Sequence, residues 1–192
     1  MTGKRPLTVN EFHSIHSYLL KHNRIRDLVM VSLLYHTGYR IKEILSMKVK
    51  DVYQSDGTVK DYIQVMPRNM KKKTPRPAIA VNNSLRADMK RYQSILTVSP
   101  GMFLIQSQKG DNKSISYTQA YRIIKDVFDA KDVYNNVAVH SFRKSFCKKL
   151  YEYTGNDIRV TQVMMGHKQV GTTQRYISVD VDKANELIMQ MN

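Results

Sequence analysis

Two short patterns carry side chains that can do chemistry. His140–Ser141–Phe142–Arg143 begins a helical stretch, and the three-residue spacing puts His140 and Arg143 on one face near a helix N-terminus. Backbone N–H groups and side-chain donors converge at such a place and suit a phosphate, although a solvated basic edge has the same composition. In the second pattern, Met164 to Tyr176, Gly166 and Gly171 punctuate the chain. His167 and Tyr176, nine residues apart, therefore fall on a short helical or looped segment that can curl back on itself. Tyr176, one of twelve tyrosines, reads by itself as a core or surface aromatic; to act as a nucleophile its hydroxyl, with a pKa of about 10, would need its proton removed. Histidine can take the proton, and the planar fork of arginine can meet nonbridging oxygens. Two further cationic positions stand out. Arg40 lies in a junction between two helices, where it either caps carbonyls or faces a ligand. Lys71–Lys72–Lys73 lies in a hairpin turn, where a solvated tip is the plain reading. Glu43 follows Arg40 by three and either orients a cation or forms a helix-surface ion pair.

These residues need a frame. Thr8 or Asn10 can cap a first helix carrying Phe12, Ile15, Leu19 and Leu20 at helical spacing. Ile25 to His36 has almost no polar face and reads as the central helix of the core. Gly38 can end it in the left-handed conformation, and a short helix from Ile41 to Met47 follows. From Asp51 to Val81 the period changes to that of strands. Val52–Tyr53, Tyr62 to Met66 and Ala78 to Val81 predict a small three-stranded antiparallel sheet, with Pro67, Pro75 and Pro77 keeping the basic loop at its edge. Asn82–Asn83–Ser84 caps a helix running to about Ile95, and Met102 to Ile105 reads as a short extended piece. Four more helices follow: Ser116 or Thr118 through Phe128, His140 to Tyr153 with Phe142, Phe146 and Leu150 as its buried stripe, Ile158 to Met165 ended by Gly166, and Val181 to Met191. The fold class expected is α+β, mainly helical, with the sheet at one edge.

Composition narrows the function classes. The 192 residues hold 31 Lys and Arg against 16 Asp and Glu, a net charge of +15, on a chain of ordinary globular hydrophobicity. That balance points to a polyanionic partner. No run of about 18 apolar residues occurs, so a membrane span is not expected, and the expected location is cytoplasmic and nucleoid-associated. Cys147 stands alone, which excludes an internal disulfide and any Cys-based zinc site and leaves it a structural residue. His13 and His16 lack further metal ligands, and no phosphate-cradling Walker loop, EF-hand loop or HExxH pattern occurs.

Taken in order, Thr37–Gly38–Tyr39–Arg40–Ile41–Lys42–Glu43, a lysine in a hairpin turn, His140-x-x-Arg143, Gly166–His167 and Tyr176 resemble the tyrosine recombinase, or phage integrase, family from about Leu7 to the C-terminus. The resemblance implies the catalytic-domain fold of that family. It implies Arg40 and Arg143 as the arginine pair, His140 and His167 as the histidine positions, Tyr176 as nucleophile, and Lys72, with Lys73 next, as the acid that protonates the departing 5′ oxygen. Glu43 is a supporting residue. The implied product is a 3′-phosphotyrosine with a free 5′ hydroxyl, made on double-stranded DNA with no metal or nucleotide cofactor. The family also implies self-association on DNA, as dimer or tetramer, through the C-terminal segment.

Most relatives carry an N-terminal core-binding domain, and the expectation here is a single catalytic domain over 1–192 with that domain absent, as in the short recombinases of fimbrial phase variation. Two other readings stay open: a DNA-binding regulator on the same fold without strand transfer, and a nicking-closing enzyme like the type IB topoisomerases. Lys48, Lys50, Lys71, Lys73, Arg76 and Lys144 are expected to flank the path of a duplex.

Overall fold

Thr8 starts the first helix, α1 (Val9–Lys21), by accepting the Glu11 N–H while the Glu11 carboxylate accepts the Thr8 N–H. Arg5 then binds Glu11 through both terminal nitrogens. These contacts belong to a computed structural model that describes residues 4–65, 76–96, 99–109, 111–177 and 189. Phe12, Ile15 and Leu19 form the buried stripe of α1, while Leu20, expected beside them, is 39% exposed.

The nearly all-apolar run becomes α2 (Ile25–Thr37), buried without interruption from Asp27 to Tyr35. It lies against α1, α5 (Asn83–Gln93) and α7 (Val139–Tyr153), which cover it on all sides as its lack of a polar face requires. Gly38 closes α2 at φ +60. Two short helices follow, α3 (Ile41–Leu45) and α4 (Val49–Val52). Beyond α5 come α6 (Tyr117–Ala130), started by Ser116, then α7, α8 (Ile158–Met165), closed by Gly166 at φ +63, and α9 (Val170–Gln174).

The sheet corrects the three-stranded expectation. Among the described residues it has two strands, β1 (Tyr62–Ile63) and β2 (Ile79–Ala80), antiparallel with Tyr62 opposite Ala80 and Ile63 opposite Ile79. The strand expected at Val52–Tyr53 is instead the end of α4. The Asp51 carboxylate accepts the Lys48 N–H at 2.7 Å and turns the chain into a helical turn, leaving Tyr53 only an isolated bridge to Val59. A capping carboxylate outweighs the strand preference of a Val–Tyr pair. Leu104 donates its N–H to the Met47 carbonyl and Ile115 donates to Ile105, but the piece from Met102 to Ile105, expected to be extended, consists of bends around an isolated bridge from Phe103 to Lys48. The predicted helix from Val181 to Met191 lies, but for Met189, outside the described residues.

In α7, Phe142 is fully buried, but Phe146 and Leu150 are only half-buried. Ser141, Arg143, Ser145 and Cys147 complete the inward face. Burial pushes the Cys147 thiol up to about 11, which keeps it protonated and inert, in keeping with a structural residue.

Candidate active site

Three helix termini meet at one place: the α2–α3 junction, the start of α7 and the end of α8. The last of these leads through α9 to Tyr176. Gly38 and Gly166, in left-handed conformations, let the chain leave α2 and α8 sharply enough to bring Arg40 and His167 together. Arg143, one turn into α7, is 1% exposed and joins the termini: Nη1 donates to the Gly38 carbonyl, and Nη2 donates to the Met165 carbonyl at 2.7 Å and to His167 Nε2 at 3.0 Å. Its Nε has no hydrogen-bond partner among the described residues. Burial, then the neighbouring Arg40 charge, lowers its pKa, with Tyr176 and Glu43 acting in the opposite direction.

Tyr176 follows α9, its N–H on the Thr173 carbonyl at 2.9 Å. Its hydroxyl is hydrogen-bonded to His140 Nε2, with the rings edge-on at 5.2 Å between centroids. His140 has its ring edge in solvent, yet the surrounding protein depresses its pKa to about 4, aided by the charges of Arg143, Lys144 and Arg40. At neutral pH the imidazole is therefore uncharged, and in the tautomer that carries its proton on Nδ1 the free Nε2 accepts from the phenol. That is the arrangement a general base needs toward a nucleophile.

His167 is 7% exposed and packs its ring 5.0 Å from the Tyr176 ring. Burial, then Arg143, pushes it down to about 3. Because a guanidinium can only donate, Nε2 accepts from Arg143, and the proton sits on Nδ1, directed at Thr173 Oγ1 at 2.9 Å. His167 therefore buttresses both Arg143 and the nucleophile ring. Thr173 was not singled out by its sequence; its place one helical turn before Tyr176 is the signal that it faces the same way.

Arg40 is 44% exposed at its side chain and donates to Glu43 at 2.9 Å, while its backbone N–H donates to the other Glu43 oxygen at 2.7 Å. Glu43 is only 3% exposed, which rules out the surface ion pair and makes it the carboxylate that orients Arg40. Tyr39 is buried and donates its hydroxyl to the Ile63 carbonyl at 2.9 Å, tying β1 to the junction. Arg76 departs from the sequence reading. It is 2% exposed and lies inside the cluster, not along a duplex path. The cause is that its guanidinium finds two backbone carbonyls, Met164 and Thr37, that need donors. Lys144 stands 5.9 Å from the Tyr176 ring, Lys48 lies over the Phe103 ring and Lys50 is exposed. Lys71, Lys72 and Lys73 lie outside the described residues.

Arg40, His140, Arg143, His167 and Tyr176 thus come from four separate parts of the chain to one spot. Arg40 and Arg76 share the single carboxylate of Glu43, and Arg143 pairs with no acid among the described residues. The surplus positive charge beside a phenol hydroxyl bonded to a neutral imidazole can receive a phosphate and hold charge that grows on it. No group of three or more His, Cys, Asp or Glu with metal-site geometry occurs among the described residues, and no helix there is long and apolar enough to cross a membrane.

A family model described as the phage integrase family matches residues 5–183. The chain is 28% identical over 191 residues to the tyrosine recombinase XerA of Pyrococcus furiosus, covering all of this chain and 63% of that one. It is 27% identical over 163 residues to the tyrosine recombinase XerD of Corynebacterium glutamicum, covering 85% of this chain and 51% of that one. The chain thus spans about half to two thirds of the length of these relatives. Among solved structures, the site-specific recombinase XerH bound to a palindromic difH substrate in a post-cleavage complex superposes with a TM-score of 0.75 at 21% identity, over 98% of this chain and 53% of that one. That likeness is one of fold.

Proposed function

The chain belongs to the phage integrase family, and from that premise we propose that it breaks and rejoins double-stranded DNA at specific sites through a 3′-phosphotyrosine on Tyr176. The observation that carries the reading is the Tyr176 hydroxyl bonded to His140 beside the Arg40 and Arg143 guanidiniums. In the proposed step Tyr176 Oη bonds to the scissile phosphorus as its proton passes to His140 Nε2. The bond from phosphorus to O5′ breaks, and the leaving oxygen takes a proton from Lys72, or from Lys73, to become a free 5′ hydroxyl. Arg40 and Arg143 offset the charge of the five-coordinate phosphorus, a role for which one well-placed donor is worth about 100- to 1,000-fold in rate. The phosphotyrosine conserves the bond energy, so a 5′ hydroxyl of another strand can reverse the step.

The DNA complex of the XerH recombinase supports duplex DNA as the partner, as does the net charge of +15. Assembly as a dimer or tetramer on DNA through residues 181–191, and a cytoplasmic, nucleoid-associated location, belong to the same proposal. The test is incubation with nicked, end-labelled candidate-site duplex followed by denaturing electrophoresis. A covalent protein–DNA band supports strand cleavage. Binding without any such band favours a regulator on this fold, and relaxation of supercoiled DNA by a monomer favours the topoisomerase reading.

A further inference from the structure

Arg76 follows Lys73 by three residues, yet its side chain runs inward between the two helix ends that carry the site. Nε and Nη2 donate to the Met164 carbonyl in the last turn of α8 at 3.0 and 2.7 Å, and Nη2 reaches the Thr37 carbonyl at the end of α2 at 3.4 Å. Nη1 has no hydrogen-bond partner among the described residues and stands 3.8 Å from the Glu43 carboxylate. The guanidinium lies 4.7 Å from the centre of the Tyr39 ring.

Gly166 is shaped around this side chain. A Cβ there would sit 2.3 Å from Arg76 Cγ and 2.7 Å from Cδ, so the residue that closes α8 must be small for Arg76 to pass as well as tolerant of φ +63. Glu43 is held from both sides, by Arg40 at 2.9 Å and Arg76 at 3.8 Å. Arg76 reaches these groups from separate nitrogens spread across a plane, whereas the three donors of a lysine radiate from one atom and do not reproduce that spread.

We infer that Arg76 is a positioning residue that clamps the Arg40 half of the site to the His167 half, acting on Arg40 through Glu43 and on His167 through the Gly166 turn. The inference rests on the strand-cleaving reading above and adds to it a residue that touches neither phosphate nor nucleophile. The Arg76 charge also helps hold His167 neutral, because it is one of the cations that lower the pKa of that ring.

The test is single-turnover covalent-complex formation on a nicked cognate duplex, with duplex affinity and Tm measured in parallel. The proteins are wild type, Arg76→Met, Arg76→Lys, Glu43→Gln and the Arg76→Met/Glu43→Gln pair. The expected Arg76→Met protein binds duplex within about twofold of wild type but forms the complex about 100-fold more slowly, the cost of a misplacement of about 1 Å. Arg76→Lys fails to restore the rate. The double variant is no slower than the slower single variant, because both changes break one linkage. An arginine with only a structural role gives losses that multiply in the pair and follow Tm, and that pattern overturns the inference. An Arg76→Met rate within about threefold of wild type also overturns it, while the wild-type band leaves the cleavage reading standing. A wild type that forms no covalent complex on its cognate site overturns both. If Arg76→Met melts below the assay temperature, Arg76→Lys carries the comparison, and a wild-type rate in that protein is the contrary result.

Discussion

Replacing Arg143 by methionine separates what holds the fold from what serves the reaction. The side chain is 1% exposed and donates to the Gly38 and Met165 carbonyls and to His167 Nε2, so its loss orphans three buried acceptors at about 1–3 kcal/mol each. Against that stands relief from burying a guanidinium that forms no ion pair among the described residues, an effective penalty of several kcal/mol, and from its repulsion by Arg40. The opposing terms are of one size. The expected net change is within about 2 kcal/mol, a shift in Tm of at most about 8 °C for a chain of this length. Transition-state charge has no such compensation. Loss of the buried fork is expected to slow covalent-complex formation by at least about 100-fold. Differential scanning fluorimetry and single-turnover cleavage of a nicked duplex read the two quantities on one preparation. A collapse in Tm of about 20 °C with a proportional fall in rate would refute the reasoning, since it would make Arg143 a structural residue. So would a near-normal rate.

Three other outcomes follow from the same geometry. Gly38→Ala places a Cβ 2.5 Å from Phe146 Cδ1 at φ +60, and is expected to cost about 2–5 kcal/mol and most of the cleavage rate; an unchanged Tm contradicts it. Burial holds His36 down to about 4 and His167 down to about 3, so between those values and about 6.5 the unfolded chain binds more protons and stability falls with falling pH. At pH 5 the loss is about 2 kcal/mol for each ring relative to pH 7, read as a lower urea midpoint, and a flat midpoint is the contrary result. With His140 depressed to about 4, the second-order rate of covalent-complex formation at subsaturating DNA is expected to lack a step near pH 6.5, where an unperturbed histidine base would place one.

Much of the site was legible because its residues sit where the sequence shows helix ends. Gly38 and Gly166 mark the ends of α2 and α8, and Arg40 and His167 follow them closely. Tyr176, which is 36 residues from His140, is assigned with it only through the resemblance to the tyrosine recombinase family, since by itself it reads as one aromatic among twelve tyrosines. Glu43 was ambiguous because its three-residue spacing from Arg40 is the same on a buried helix as on an exposed one; burial of α3 against α2 and α6 decides it. Arg76 was misread for a related reason. In a run of lysines its charge looks like one more surface cation, and only the tertiary position of two carbonyls draws it inward. The Val52–Tyr53 strand failed because residue preference was weighed without Asp51, whose cap forms locally and decides the turn. Thr173 escaped notice because a hydroxyl takes its meaning from the partner it meets, here His167 Nδ1.

The central claim is that Tyr176 becomes covalently joined to a DNA 3′ phosphate. The most direct measurement traps the complex on a nicked cognate duplex, digests the DNA with nuclease and the protein with trypsin, and locates the adduct by mass spectrometry. Cleavage after Arg175 and Lys183 releases a peptide that begins with Tyr176 and holds no other tyrosine. Wild type is expected to carry a nucleotide 3′-phosphate on that peptide, and Tyr176→Phe to carry no adduct. An adduct on the peptide holding Tyr151 and Tyr153, or one that persists in Tyr176→Phe, contradicts the claim.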